Sequence, residues 1–191
     1  IPHAAAAQNL ESADGLFKAG KFQEAEGVYS RVLAGDRKNF QATLRMGQIA
    51  LFANRLREAE KRLTRAAKLN PEAKEPKALL AEIYYRRDDF QRAAPLFRAA
   101  GREVKAKKLE SFKPGEPYQV QGSGKVTALK FVHTDPLPLV QVRVNGSEEV
   151  NFLIDTGGAE VIIDTEFARQ VGAVEFGPEK GMFAGGKQAP Y

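Results

Sequence analysis

The spacing of apolar positions changes once along this chain, near residue 113. Before that point, apolar residues recur at helical spacing in segments rich in Ala, Leu, Arg, Lys and Glu, which favours amphipathic helices. After it, Val, Thr, Phe and Tyr become common in alternating or short apolar runs, for example at residues 118–121 and 125–133, which is typical of strands. The pattern predicts a multidomain α plus β chain, with helices first and a mostly-β part second.

The helical half repeats itself with a period of 34 residues. The segment at residues 20–26 recurs at residues 54–60 and again at residues 88–94. Small residues let paired helices approach closely, and large residues fill the space between repeats. Three sets of positions keep this register. The first set is always alanine, the second is small and the third is large and apolar: Ala25, Ala59 and Ala93; Ala13, Gly47 and Ala81; Tyr29, Leu63 and Phe97.

This period and these positions resemble the tetratricopeptide repeat family, although the chain contains no Trp. The resemblance implies an α-solenoid of three repeats, which is about the minimum for a stable stack. It also implies that the concave face of the array binds a protein or peptide partner.

Composition and helix-breaking residues divide the chain into four parts. We expect an N-terminal tail at residues 1–8 and a helical repeat domain with a C-terminal extension at residues 9–112. A linker follows at residues 113–117, where two prolines and a glycine end the helical pattern, and a β-rich domain occupies residues 118–191. In the extension, which would cap the solenoid, we predict a solvated basic face formed by three residues: Lys105, Lys107 and Lys108.

A β-hairpin is predicted at residues 139–154. Alternating apolar residues at 139–144 lead into Asn145-Gly146, and a second apolar run ends at Ile154. Asn-Gly between alternating runs is a strong hairpin signal, because both residues tolerate positive φ. Beyond the hairpin, residues 161–164 are predicted to form another strand, and residues 165–172 a short helix with an Asp or Thr cap and a closing Gly172.

The tripeptide Asp155-Thr156-Gly157 directly follows the second run of the hairpin. An aspartate at the end of an apolar strand is costly unless it is hydrogen-bonded or used. The order of strand, Asp-Thr-Gly, strand and short helix resembles the bacterial retropepsin-like aspartic proteases over residues 118–191, with Gly158 where Ala is common in that family. The resemblance implies that Asp155 is catalytic, that the Thr156 hydroxyl braces the loop, and that Gly157 permits its tight turn.

The same resemblance implies a reaction that needs two carboxylates. They share one proton around a water molecule, because two adjacent carboxylates do not both ionise cheaply. The chain carries one Asp-Thr-Gly, so a homodimer would supply the second aspartate. The family's later strand and helix do not occur before Tyr191, so we expect an incomplete, C-terminally truncated protease domain that is inactive by itself. Residues 181–187 lie where a glycine-rich flap or a loop would begin, and we expect a disordered or rearranged end after about Gly172.

Two functions therefore stay open at the level of sequence. The first is an aspartic endopeptidase that acts on a protein or peptide substrate. The second is a non-catalytic scaffold, in which the repeats bind a partner and the Asp-Thr-Gly domain is inactive or serves dimerisation, since Asp and Gly are also ordinary turn residues. A dimer that brings Asp155 near its own copy favours the enzyme, whereas a monomer with Asp155 facing solvent favours the scaffold.

Charge and composition exclude several other classes. The net charge is +5; residues 1–113 hold 23 Lys or Arg against 14 Asp or Glu, which gives +9, and residues 114–191 hold 6 against 10, which gives −4. The basic residues are spread along helices without a cluster or stacking aromatics, so we predict solvated faces and no nucleic-acid partner. Attraction of this basic half to an acidic partner or an anionic membrane stays open as the alternative. There is no Cys, and His3 and His133 are far apart, so we predict no metal and no cofactor.

Membrane and targeting signals are weak. No apolar run reaches about 18 residues, so no membrane span is predicted. The alanine-rich start resembles the sequence around a signal-peptide cleavage site, and it suggests an extracytoplasmic location, either periplasmic or secreted.

Overall fold

The computed structural model describes residues 2–112, 117–118, 121, 128–156, 160–178, 180–183 and 187–190. It divides into two compact units. The first contains residues 1–118 together with 177–191, and the second contains residues 119–176. Within the described part of the first unit, seven helices follow one another: α1 Pro2–Lys18, α2 Phe22–Gly35, α3 Phe40–Phe52, α4 Leu56–Leu69, α5 Lys74–Tyr85, α6 Phe90–Ala99 and α7 Glu103–Glu110. The predicted array of six repeat helices and one extension is confirmed.

Helix α1 begins earlier than the sequence reading placed it. Residues 2–8, predicted as a tail, belong to this helix. Residues 4–7 are all alanine, the residue with the highest helix propensity, and Pro2 occupies the first helical position, where a missing amide hydrogen costs nothing. Propensity therefore extends the helix toward the chain start.

The turn inside each repeat is built the same way three times. Two or three residues beyond the first helix, one residue has a positive φ, which is 74° at Gly20, 55° at Asn54 and 57° at Asp88. Gly, Asn and Asp are the residues that tolerate this conformation best. The next amide then bonds back to a carbonyl of the helix end, as in a Schellman motif: Lys21 N to Leu16 O at 2.9 Å, Arg55 N to Ala50 O at 2.8 Å, and Asp89 N to Tyr84 O at 2.9 Å.

The core of the array lies at the positions that keep the 34-residue register. Close approach is tightest in the second repeat, where a Cβ added to Gly47 would lie 2.8 Å from Cγ and Cδ2 of Leu63 and 3.3 Å from the Leu63 amide nitrogen. Glycine at this position therefore allows α3 and α4 to pack together. The residues in register at two further positions are fully buried: Ala25, Ala59, Ala93, Tyr29, Leu63 and Phe97.

We expect Gly47→Ala to destabilise the protein by about 1 to 3 kcal/mol, because the added methyl group overlaps the buried Leu63 side chain. Gly27→Ala is the matched control, since Gly27 lies inside α2 with nothing within 4 Å of its added Cβ. It should stabilise by up to about 1 kcal/mol through helix propensity. Urea unfolding followed by circular dichroism measures both, and equal effects of the two changes would contradict the packing argument.

A polar network joins the second repeat to the third. Glu60 on α4 accepts hydrogen bonds from the Tyr84 hydroxyl at 2.7 Å and from Arg87 Nη1 at 2.6 Å. These two donors hold the pKa of Glu60 below its ordinary value of 4.5. Burial, followed by the bond to Glu60, raises the pKa of Tyr84. The network therefore favours the ionised carboxylate in the folded state.

We expect Glu60→Gln to lower stability at neutral pH by about 1 to 2 kcal/mol, because it removes a carboxylate that accepts two hydrogen bonds. A depressed folded pKa gives stability that is present above the ordinary value of 4.5 and is lost as the pH falls through the folded pKa. The difference between Glu60→Gln and the native protein should therefore shrink in acid.

Thermal unfolding at a series of pH values measures this dependence. Glu72→Gln serves as the control, because Glu72 is exposed and has no ion pair in the part of the chain that the structure describes. A penalty for Glu60→Gln that is equally large at acid and neutral pH would contradict the assignment.

The extension α7 corrects one prediction. Lys107 is exposed and Lys108 is half-buried, but Lys105, predicted on the solvated face, is only 7% exposed. Its ammonium lies 4.3 Å from the ring centre of Tyr85 and 4.9 Å from that of Phe97. An ammonium is attracted to the face of an aromatic ring, so Lys105 packs inward and α7 covers the end of the third repeat.

The β-rich part contains less regular structure than the sequence predicts. Strands β1 Leu139–Val142 and β2 Val150–Leu153 pair antiparallel, with Leu139 opposite Leu153, and helix α8 Thr165–Gln170 follows. Residues 161–164, predicted as a strand, form none. Of the described residues 128–133, His133 forms a single bridge to Leu139, and Val132 N bonds to Leu139 O at 2.9 Å. Strands need a partner to be stable, and none of the described segments pairs with residues 161–164.

The end of the chain is also more ordered than expected. Strands β3 Lys180–Phe183 and β4 Lys187–Pro190 form a second antiparallel hairpin, with Lys180 opposite Pro190. The predicted flap or loop at residues 181–187 therefore has paired arms, and its tip at residues 184–186 lies outside the described residues. The expected end after about Gly172 was either disordered or rearranged; disorder is wrong for these strands, and rearrangement stays a prediction.

Candidate active site

The β1–β2 hairpin determines where the candidate catalytic residue lies. Its turn contains Asn145 and Gly146 with φ of 51° and 80°, and Ser147 N bonds to Val144 O at 2.9 Å. Two consecutive positive φ values are those of a type I′ turn, as Asn-Gly predicts. In the paired strands, Val140 faces Phe152 across the hairpin, and Val140 is the buried residue of this pair.

Asp155 lies directly beyond the last hydrogen bond of this hairpin. Strand β2 ends at Leu153, and one further bond, from Ile154 N to Pro138 O at 2.9 Å, extends the pairing by one residue. Asp155 follows without regular structure and Thr156 begins a turn, and both are exposed. Gly157, the third predicted site residue, lies outside the described residues. Backbone pairing thus presents the carboxylate at the end of the strand, in the loop where it was predicted.

Apolar side chains flank the Asp-Thr pair on both sides in the sequence. Leu153 is 49% exposed and Ile154 41%, and beyond the loop Val161 is 79% and Ile162 60% exposed. Exposed apolar residues in this number around a polar motif are typical of a surface that another chain covers. The sequence predicted that these residues lie within apolar strands, whereas the structure leaves their side chains exposed on the surface of a single chain.

A second aspartate close by in sequence has a different, structural role. The Asp164 carboxylate accepts hydrogen bonds from the amides of Glu166 at 2.8 Å and Phe167 at 3.2 Å, which caps helix α8. Gly172 has φ of 68° just after the helix, and Asn145 Nδ2 donates to Val171 O at 2.8 Å. The hairpin turn is therefore tied to the end of α8, and the predicted Asp cap and closing glycine are both present.

Metal-binding geometry is not found in the part of the chain that the structure describes. No group of three His, Cys, Asp or Glu side chains there could hold a metal ion. In the same part of the chain, no helix is long and apolar enough to cross a membrane. The described arrangement offers Asp155 as its candidate reactive group, one carboxylate per chain at the end of a strand.

Sequence reasoning missed a basic stripe on helix α4. The charges of the helices were described as spread without a cluster, but the spacing of four residues places them on one face of this helix. That spacing, of four, four and three residues, was the signal in the sequence. All four members are exposed: Arg57, Lys61, Arg65 and Lys68.

Two family models match separate segments of the chain. Residues 16–83 match the family model described as tetratricopeptide repeat, and residues 140–191 match the model described as aspartyl protease. The second match covers β1, β2, α8 and both strands of the second hairpin. No curated protein matches the chain significantly.

Solved structures similar to the chain are helical repeat proteins. One is the second TPR of Spaghetti (RPAP3) bound to the HSP90 peptide SRMEEVD, at 24% identity and a TM-score of 0.47, covering 50% of this chain and 88% of that one. Another is the type III secretion translocator chaperone SycD of Yersinia enterocolitica, at 17% identity and a TM-score of 0.49, covering 60% and 74%. SycD in complex with a peptide of the translocator YopD matches at 17% identity and a TM-score of 0.47, covering 56% and 78%.

Proposed function

We propose that this chain, which joins tetratricopeptide repeats to an aspartyl protease family domain, is part of an aspartic endopeptidase that acts as a homodimer. The observation that carries the proposal is the position of Asp155 and Thr156. They follow a paired strand directly and are exposed at its end, within the segment that matches the aspartyl protease family. The repeats would hold a protein partner or substrate.

The proposed reaction needs one carboxylate from each of two chains. Asp155 in its ionised form would take a proton from a bound water, whose oxygen attacks the scissile carbonyl carbon. Asp155 of the partner subunit, in its protonated form, would donate a hydrogen bond to the carbonyl oxygen. A proton then passes to the amide nitrogen as the carbon–nitrogen bond breaks. Two nearby carboxylates sharing one proton supply both roles at once.

The exposed apolar residues beside the loop support the dimeric form of the proposal. Among the described residues from 128 to 178, only Val140 and Val171 are buried hydrophobics. So small a core gives little stability by itself. Covering the exposed Leu153, Val161 and Ile162 side chains, which flank Asp155 in the sequence, with a second chain would add apolar burial to this domain. Two-fold pairing is also the commonest way for identical chains to associate.

The same sparse core favours a second candidate function, a non-catalytic scaffold. In that case the repeats bind a partner, and the β-rich domain serves association without chemistry. The two candidates differ in what a change of Asp155 does, since a scaffold does not need this carboxylate.

We expect Asp155→Asn to reduce cleavage of an unstructured protein substrate by roughly 100-fold or more, because it removes the group that takes the proton from water. Asp164→Asn is the matched control. Asn caps helices as well as Asp, so this variant should keep both the fold and the activity. Peptide release from unfolded casein, measured from acidic to neutral pH in the full-length protein, tests the difference. Cleavage that persists in Asp155→Asn would show that the carboxylate is not catalytic.

We also expect the rate per chain to rise with chain concentration, because one carboxylate per chain makes the monomer inactive. Ile162→Lys should weaken this dimer, since it puts a charge into the apolar surface that is 60% exposed in the single chain. Analytical ultracentrifugation measures association, and the cleavage assay measures activity. A rate per chain that is independent of concentration while the chain sediments as a monomer would exclude the dimeric mechanism.

A further inference from the structure

We propose that the basic face of helix α4 binds an extended acidic segment of a protein partner. Two adjoining surface areas lie along this face: a hollow of about 540 Å³ between α4 and its neighbours, and a shallow, open area lined by α4 side chains alone. Both are lined by Lys61 and Arg65, which makes them one continuous surface, called here the α4 groove. Arg37 lines the hollow, and Arg57 and Lys68 line the open area.

The acidic residues of the α4 groove are already engaged. Glu58 pairs with Arg62 at 2.8 Å and with Arg55 at 3.1 Å, and Glu60 accepts from Tyr84 and Arg87. Arg65 donates to the carbonyl oxygen of Arg37 at 2.6 Å, and that carbonyl carries no net charge. Within the part of the chain that the structure describes, the other three cations of the stripe form no ion pair: Arg57, Lys61 and Lys68.

Like charges four residues apart on a helix repel each other, so the stripe does not serve the stability of α4. The repeat fold does not require it either, as the residues in register 34 positions away demonstrate. The first repeat has Gln23, Gly27, Arg31 and Ala34 at these positions, and the third has Gln91, Pro95, Ala99 and Arg102. At these four positions the first and third repeats carry one cation each, whereas the second repeat carries four. A local excess of cations that the fold does not need indicates an anionic ligand.

The spacing of the stripe fits an extended peptide. At about 1.5 Å of rise per residue, Arg57, Lys61 and Arg65 are spaced about 6 Å apart along the helix axis. In an extended chain, alternate side chains point to the same side and recur about every 6.6 Å. Carboxylates at every second position of an extended segment therefore match successive cations of the α4 groove.

A protein segment fits this groove better than a nucleic acid. Single-stranded nucleic acids stack their bases on aromatic side chains, and no aromatic residue lines either area. The inference rests on the proposed role of the repeats in binding a protein, and it does not depend on cleavage by the β-rich domain.

The test measures binding of a fluorescein-labelled peptide, acetyl-Glu-Ser-Glu-Ser-Glu-Ser-Glu-amide, by fluorescence anisotropy. The full chain carrying Asp155→Asn is used, so that a cleaved probe does not mimic weak binding. A second peptide of the same composition, with its four Glu residues contiguous, tests the spacing. A single-stranded thymidine oligonucleotide tests nucleic acid as the alternative occupant.

The variant pair is Lys61→Gln with Lys68→Gln, which removes two unpaired cations of the α4 groove. Its control is Lys18→Gln with Lys107→Gln, which makes the same change of net charge at exposed sites on α1 and α7. We expect the groove pair to weaken binding of the alternating peptide about 3- to 10-fold, as two exposed charge contacts are lost. The control pair should change it less than about 2-fold. Arg57→Gln with Lys61→Gln, a second groove pair, should repeat the loss.

Several results would overturn the inference. One is an equal loss of peptide binding in the control pair, and another is equal affinity for the two peptides. A third is no measurable binding of the alternating peptide. A fourth is that the oligonucleotide binds more tightly than the peptide and that the groove pair of substitutions abolishes this binding. Failure of the proposed endopeptidase gives a different signature, which is absent cleavage of casein by the native full-length protein while the Asp155→Asn chain still binds the peptide. If the native protein cleaves casein but the Asp155→Asn chain does not bind the peptide, only the α4 groove is rejected and the proposed endopeptidase is kept.

Discussion

The helical array depends on one backbone conformation, which recurs once in every repeat. One residue in the turn after each first helix takes a positive φ, and Gly20, Asn54 and Asp88 hold it at a spacing of 34 residues. The following amide then closes the helix end with the same hydrogen bond each time. The same turn precedes the second helix of each repeat, so equivalent side chains occupy equivalent positions in all three repeats. Alanines and large apolar residues at these positions form the core.

The same register explains why the α4 groove is chemically distinct. A repeat fold constrains its inward positions strongly and its outward positions hardly at all, since exposed side chains add little to stability. The inward positions of the three repeats are therefore alike, whereas the outward face of α4 differs in charge from its neighbours on α2 and α6. Differences between copies of one repeat separate the residues that the fold needs from those that remain available for a partner.

The β-rich part contrasts with this self-sufficient array. Its hairpin is well specified by local interactions, from the Asn145-Gly146 turn to the Asp164 cap of α8, but it buries few apolar side chains in the described residues. Local hydrogen bonds define a shape, whereas burial supplies most of the free energy of folding. The exposed Leu153 and Ile162 side chains of this domain are therefore the apolar surface that the proposed second chain would cover.

The amino-acid sequence by itself determined the features that depend on near neighbours. The repeat helices, the turn at Asn145-Gly146, the cap at Asp164 and the position of Asp155 after a strand were all predicted, because helix propensity, turn preference and capping act within a few residues. Tertiary structure decided the rest. Lys105 turned inward because the rings of Tyr85 and Phe97 lie beside it, and residues 161–164 formed no strand because pairing needs a distant partner. Neither outcome can be read from the residues concerned, since the group that decides it lies elsewhere in the chain.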